Sequence, residues 1–273
     1  MSNIIPEWFV LCFEGVAKIS DSVKLQEALE EVIGDEELTP ISGGSYLAKG
    51  SFGCAVGLGR DKVIKITSDP TEVEAALGIV GEDIPNVVNV YYATKVKGVK
   101  AKPRSVPAPL VSPGIIVSER LTPAIKILGQ RQISILRAIA DMSKIKFGLF
   151  SPNTFFLPKR KRLELFRATY EFVLNELLEA FETYTGDTQV FEDVINGMES
   201  LERLGIYVFD IHPGNIGWKD PAFKILDLCF SASTRNLKET GGTARRNPYT
   251  DEDGVTYYTA EDLKKFLKER FRN

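Results

Sequence analysis

Histidine is nearly missing from this chain: His212 is the only one among 273 residues. A single imidazole leaves no histidine metal cluster and no His-dependent nucleophilic triad to build. Cysteine is scarce too. Cys12, Cys54 and Cys229 lie far apart and form no paired motif. That argues against a disulfide framework or a zinc site and fits a reducing cytoplasm. Strong charge of one sign is lacking, with a formal net charge of -3, so the whole chain makes no case for nucleic-acid binding. No apolar run approaches the roughly 20 residues that span a bilayer. The stretch Trp8-Phe9-Val10-Leu11-Cys12-Phe13 follows Pro6 and Glu7 rather than basic residues, and reads as packing surface, not a signal peptide. There is no internal repeat. What is present is ordinary: 44% hydrophobic and 26% charged residues, enough for one large or two modest globular domains.

Periodicity divides the chain. Residues 22–33 have an amphipathic helical pattern with Leu25, Ala28, Leu29, Val32 and Ile33 on one face, Ser22 as the cap and Gly34 as the stop. Residues 45–67 read as strand, turn, strand, turn, strand. Asp69-Pro70-Thr71-Glu72 starts a short helix ending near Gly81. Strands follow at about 86–96 and 114–120, and the proline-rich, basic connection from Lys97 to Pro113 reads as a stiff exposed loop. Beyond Pro123 the pattern is mainly helical, with long amphipathic stretches at 161–184 and 188–204 and a last one from Thr259. A strand-rich half thus precedes a helical half, with a hinge expected at Glu119–Thr122.

The chemistry-bearing residues are concentrated in Asp210-Ile211-His212-Pro213-Gly214-Asn215 and Lys224-Ile225-Leu226-Asp227. This is a carboxylate, an amide five residues on, and a second carboxylate after a short apolar run. Phosphoryl transfer from ATP needs such a set: one carboxylate to orient a hydroxyl, and an amide oxygen with another carboxylate to hold Mg2+. Upstream, Gly50-Ser51-Phe52-Gly53 is a glycine-rich turn whose backbone amides can approach phosphate, although many such turns are plain hairpins. Lys65, in Val63-Ile64-Lys65-Ile66, is either a solvent-facing strand lysine or an anchor for the α- and β-phosphates. An anchor needs an acid on the next helix. Glu72 suits a capping box; Glu74, deeper in the helix, is the preferred partner.

In this order, from Leu47 to Asp227, these features resemble the protein-kinase-like superfamily. The resemblance implies an α+β, bilobal fold: a helical extension at residues 1–45, a small antiparallel-sheet lobe at 46–120 and a reduced helical lobe at 121–273. It makes Gly50, Ser51, Phe52 and Gly53 the phosphate loop, Lys65 the ATP-anchoring lysine and Asp210 the catalytic aspartate. Asn215 and Asp227 become the magnesium ligands. Ser118-Glu119-Arg120-Leu121 resembles the hinge whose backbone, at Glu119 and Leu121, meets adenine. More narrowly, the stretches GSFGCAV, VIKIT, FDIHPGNIGW and ILDLCFS are similar to the small early serine/threonine kinases of short-tailed lytic phages. That implies ATP and Mg2+ as cofactors, host proteins as substrates with transcription machinery as a target class, and the host cytoplasm as the place of action.

The pattern also departs from the family. Ala48 replaces the first loop glycine, Val208 stands where a histidine usually precedes the catalytic aspartate, and Leu228-Cys229 follows Asp227 in place of Phe-Gly. No Ala-Pro-Glu-like motif follows, and the stretch after Asp227 is too short for a full activation segment. The expectation is an active, minimally regulated kinase. The Asp-x-His-Pro-Gly-Asn loop also resembles aminoglycoside and choline phosphotransferases, and His212 either contacts the transferred phosphate or braces the loop. A small-molecule kinase is one alternative: Glu171, Glu176, Glu179 and Glu182 would line its acidic pocket, although they suit the exposed face of a helix equally well. An ATP-binding pseudokinase or non-enzymatic interaction protein is the other. Lys159-Arg160-Lys161-Arg162 reads as a solvated helix start, or less simply as a docking patch. Ser231, Ser233 and Thr234 are candidate autophosphorylation sites.

Overall fold

Two tight turns organise the strand-rich half. The computed structural model describes residues 4–34, 38–39, 48–104, 110–147, 159–228, 232–233, 249–250 and 256–257. In it, β4 (Gly53–Leu58) and β5 (Lys62–Thr67) pair antiparallel from Gly53↔Thr67 to Leu58↔Lys62. Gly59 in the connecting turn has φ +62°, a conformation that side chains with a Cβ rarely adopt. β8 (Gly114–Glu119) pairs with the other edge of β5, and β6 (Val90–Lys95) pairs with β8. The short β2 (Leu38–Thr39) and β3 (Ala48–Lys49) both pair with β4, giving a six-stranded antiparallel sheet.

Alternation along these strands sends side chains to two faces. Cys54, Val56, Leu58, Ile64, Ile66, Ile115 and Val117 share one hydrophobic cluster with Phe9, Val10 and Phe13 of α1 (Ile4–Glu14) and Leu25, Leu29 and Ile33 of α2 (Ser22–Ile33). The helices therefore cover one face of the sheet, and each fully buried aliphatic or phenyl group there contributes about 1.5–3 kcal/mol. Asp21, not the expected Ser22, caps α2: its side chain accepts from the Lys24 amide at 3.0 Å. Gly34 closes the helix at φ +55°, its N–H donating to Glu30 O.

The segment from Lys97 to Pro113 is not simply an exposed loop. β7 (Ala101–Pro103) pairs antiparallel with β1 (Ala17–Ile19), and Val99 and Ala101 are fully buried. Ala101 also exchanges two backbone hydrogen bonds with Val111. β7 is an edge strand of this two-stranded sheet, where the missing N–H of Pro103 is tolerated.

The helical half follows its sequence periodicity closely. α4 (Gln130–Phe147), α5 (Lys159–Thr183) and α6 (Gln189–Arg203) bury Leu136 and Ile139, Phe166, Tyr170, Val173 and Leu177, and Val190, Phe191, Val194, Met198 and Leu201 in a second cluster. Ala75, Ala76 and Ile79 of α3 (Pro70–Ile79) join that cluster. So do Val87 and Val88, which lie on the path from α3 to β6. After α6 and the short β10 (Ile206–Tyr207), a hairpin of β11 (Ile216–Lys219) and β12 (Ala222–Ile225) pairs with β9 (Thr122–Pro123). Val88 N donates to Ile225 O and Ile225 N to Asn86 O, so the chain between α3 and β6 is zipped to β12. The architecture is mixed α+β with antiparallel sheets. Among the described residues, no helix is long and apolar enough to cross a membrane. The helix expected from Thr259, together with Cys229, Ser231 and Thr234, lies outside the described residues.

Candidate functional site

Lys65 stands level with Ala55 on β4 and Ile116 on β8, on the sheet face opposite Ile64 and Ile66. Its ammonium bonds the Glu72 carboxylate and lies 3.1 Å from Asp227 Oδ2. The position of Glu72 follows from the start of α3. Asp69 caps that helix, accepting from the Thr71 amide at 2.8 Å and the Thr71 hydroxyl at 2.7 Å, and Pro70 occupies the first turn.

The expected pairing of Lys65 with Glu74 is corrected by this geometry. Two residues along a helix turn the side chain by about 200°, so Glu72 and Glu74 cannot share a face. Glu72 lies on the buried stripe of Ala75, Ala76 and Ile79, whereas Glu74 points away and meets Lys95 at 3.5 Å. The i+3, i+4, i+7 spacing of that stripe from Glu72 was a signal already in the sequence. Burial, and then the charge of Asp227, push the Glu72 carboxyl up to about 8 against the pull of Lys65. One lysine between two carboxylates does not neutralise both.

The β11–β12 register places the other oxygens. Ile216 pairs with Ile225, and Leu226 N donates to Asn215 O at 2.8 Å, so Asn215 and Asp227 stand together at the open end of the hairpin. The turn before β11 is self-braced. Asn215 N donates to His212 O at 2.8 Å, and Asn215 Nδ2 donates to Asp210 O at 2.8 Å. His212 Nδ1 accepts from Gly214 N at 3.0 Å. A Cβ on Gly214 would sit 2.8 Å from His212 Cε1, so glycine makes room for the ring. Of the two roles considered for His212, bracing is the one visible in these contacts.

Asp210 is mostly buried. Oδ2 lies 3.4 Å from Asn215 Nδ2 and 3.9 Å from His212 Nε2. Oδ1 has no hydrogen-bond partner, although Lys144 Nζ of α4 lies 3.3 Å away at ion-pair distance. Lys144 has no motif in the sequence. It does fall on the buried stripe of Leu136, Ala140 and Ser143, where a lysine interrupts an apolar face.

The glycine turn is built for two different reasons. Gly50 N donates to Gly53 O at 2.9 Å, and Ser68 donates from both N and Oγ to Phe52 O at 2.8 Å. A Cβ on Gly53 would lie 2.1 Å from Ile66 O, so strand pairing alone demands that glycine. A Cβ on Gly50 would meet nothing within 4 Å, and Ser51 beside it is exposed. Phe52 turns inward to the larger hydrophobic cluster. Gly50 and Ser51 are thus the members of the turn that face open space.

At the strand end before the expected hinge, Glu119 is fully buried. It accepts from Lys219 Nζ at 2.8 Å, Lys224 Nζ at 2.5 Å and Asn89 N at 2.8 Å. Burial raises its carboxyl, but the hydrogen bonds from Lys219, Lys224 and Asn89 together outweigh burial and hold it below the usual carboxylate range. The Glu119 amide is spent on Asn89 O, which leaves its carbonyl for the expected backbone role. Leu121 is buried over Gly217, where a Cβ would approach Leu121 Cβ to 2.5 Å. Glu171 pairs with Arg167 at 3.8 Å, and Glu179 and Glu182 are exposed on α5. Arg160 pairs with Glu164 at 3.6 Å.

Among the described residues, no three His, Cys, Asp or Glu side chains gather as a metal cage. No protein-family model matches the chain, and no curated protein matches it in sequence.

Proposed function

We propose that this chain is an ATP- and Mg2+-dependent phosphotransferase of two-lobed, protein-kinase-like build that transfers phosphate to serine or threonine hydroxyls of proteins. The observation that carries the reading is the Lys65 ammonium between Glu72 and Asp227. It joins the sheet, helix α3 and the end of the β11–β12 hairpin at one point, with Asn215 and Asp210 on the same turn.

The donor set suits magnesium. Asn215 and Asp227 are hard oxygen ligands at one end of a hairpin, and Asn215 spends its amide nitrogen on Asp210 O, leaving its amide oxygen for a cation. Two protein ligands are what this ion ordinarily takes when phosphates and water complete its shell. Lys65 beside Asp227 is a cation already standing next to the carboxylate. Held by Asn215 and Asp227, a magnesium ion would supply positive charge that neutralises the phosphates.

In this reading the open side of the turn at Gly50 and Ser51 lets the triphosphate approach the backbone closely, and Lys65, aimed by Glu72, holds its α- and β-phosphates. Asp210 orients the acceptor hydroxyl and receives its proton. The acceptor oxygen bonds to the γ-phosphorus as the bridging P–O bond breaks, and that electron pair leaves on ADP. The small strand half would supply Lys65 and the turn, and the helical half Asp210, Asn215 and Asp227. By the phage resemblance, the acceptors are host proteins.

Incubation with γ-labelled ATP and Mg2+, offered bacterial lysate or a panel of amino alcohols, tests this. Label is expected on protein serine and threonine. Label confined to small molecules would overturn the protein-acceptor claim, and no label on any acceptor would overturn the transfer claim.

A further inference from the structure

We infer that Lys144 is a catalytic residue of this site, its ammonium passing from Asp210 to the phosphoryl group in transfer. The inference rests on the phosphotransferase reading and goes beyond its motif residues. Among the described residues, Lys144 is the one lysine or arginine at ion-pair distance from Asp210, at 3.3 Å from Oδ1. It reaches there from α4, an element outside the catalytic turn, and its side chain is only 23% exposed. His212 does not supply this charge. Its Nδ1 accepts from Gly214 N, and its Nε2 stays 3.9 Å from Asp210 Oδ2, beyond hydrogen-bond range.

Lys144 Nζ is within ion-pair distance of Asp210 Oδ1, yet that buried oxygen has no hydrogen-bond partner, so the contact is an ion pair without hydrogen-bond alignment. Such a contact is easily exchanged. As the acceptor proton reaches Asp210, the carboxylate loses its charge and its hold on Lys144. Negative charge meanwhile spreads over the oxygens of the transferring phosphoryl group, within a hydrogen bond or two of the same spot. A long lysine side chain covers that distance with its stem fixed in α4. The ammonium thus has a partner in the ground state and a better one in the transition state, the differential binding that accelerates a reaction.

The test compares the full chain with Lys144→Met, Lys144→Arg and Lys144→Cys, the last also alkylated with bromoethylamine to restore an amine. Three quantities are measured: kcat against KM for ATP, affinity for ADP with and without aluminium fluoride in Mg2+, and the thermal midpoint. Lys144→Met should lower kcat by about 10²–10³-fold while KM for ATP stays within about threefold. Its binding of ADP–aluminium fluoride should weaken by a similar factor, with ADP binding unchanged. Lys144→Arg and alkylated Lys144→Cys should recover part of both. A purely structural lysine would lower the thermal midpoint, or weaken ADP and ADP–aluminium fluoride alike; either result without the kcat loss overturns the assignment, as does wild-type kcat in Lys144→Met. Failure of the wild-type chain to bind Mg·ATP and transfer phosphate would instead sink the phosphotransferase reading and this inference with it.

Discussion

Lys224 Nζ lies 2.5 Å from Glu119 Oε1, joining the end of β8 to β12 across 105 residues. The Glu119 side chain is fully buried, Lys224 is largely so, and Lys219 is half-exposed. Removing the buried partner of a buried carboxylate costs up to about 3–5 kcal/mol, an upper bound for Lys224 because Lys219 and Asn89 N still bond Glu119. An exposed pair contributes about 0–1 kcal/mol. Lys224→Met should therefore destabilise the protein far more than Lys219→Met in urea unfolding. Equal losses would mean that the two lysines share the load evenly.

Glu119 and Glu72 predict opposite pH dependences. The folded pKa of Glu119 is depressed, so its contribution is present above the ordinary carboxylate value and is lost as pH falls through the lower folded one. Glu72 is raised from 4.5 to about 8. Between those values the folded chain keeps a proton that the unfolded chain has released, so stability falls as pH rises through that window. Unfolding free energies across pH for Glu119→Gln should lose the acid-side decline, and for Glu72→Gln the decline toward pH 8. A Glu72→Gln profile parallel to wild type would contradict the second assignment.

Glu72→Gln and Glu74→Gln separate the two acids by activity. Loosening Lys65 should cost about 10²-fold in turnover, the scale of a misplaced positioning group. Glu74→Gln breaks only an exposed contact with Lys95 and should leave turnover within about twofold. The opposite ranking would restore Glu74 as the partner.

The two glycines of the turn should behave differently. Gly53→Ala drives a Cβ into Ile66 O and should cost about 1–3 kcal/mol of stability. Gly50→Ala meets no protein atom, so its thermal midpoint should hold while KM for ATP rises. An unchanged KM in Gly50→Ala would argue that the turn is only a hairpin.

Local chemistry was the legible part of this molecule. The β5 strand, the Asp69 cap and the long helices follow from short-range pattern, and the turn from Asp210 to Asn215 could be placed because its residues brace one another. Asp21 and Ser22 stand side by side with the same capping chemistry, and only the fold selects Asp21 as the cap of α2. β7 was hidden by prolines, since its pairing with β1 is set by strands far apart in sequence. The side of α3 that faces Lys65 was readable from Ala75, Ala76 and Ile79, but the capping-box alternative for Glu72 masked it. The contact of Lys144 with Asp210 and the burial of Glu119 were not readable; for Lys144 only its interruption of an apolar helix face was. Both depend on segments distant in sequence meeting in space, and a lysine or a glutamate alone carries no such signal.

On the proposed function, Asp210 receives the acceptor proton in phosphoryl transfer from ATP. The most direct measurement of that role is the phosphorylation rate of protein serine and threonine by the wild-type chain and by Asp210→Asn, read by phosphate-mapping mass spectrometry with γ-labelled ATP and Mg2+. Labelled hydroxyls are expected with wild type, and a fall of about 10²–10⁴-fold in Asp210→Asn with ATP still bound. Equal labelling by the two proteins would contradict it.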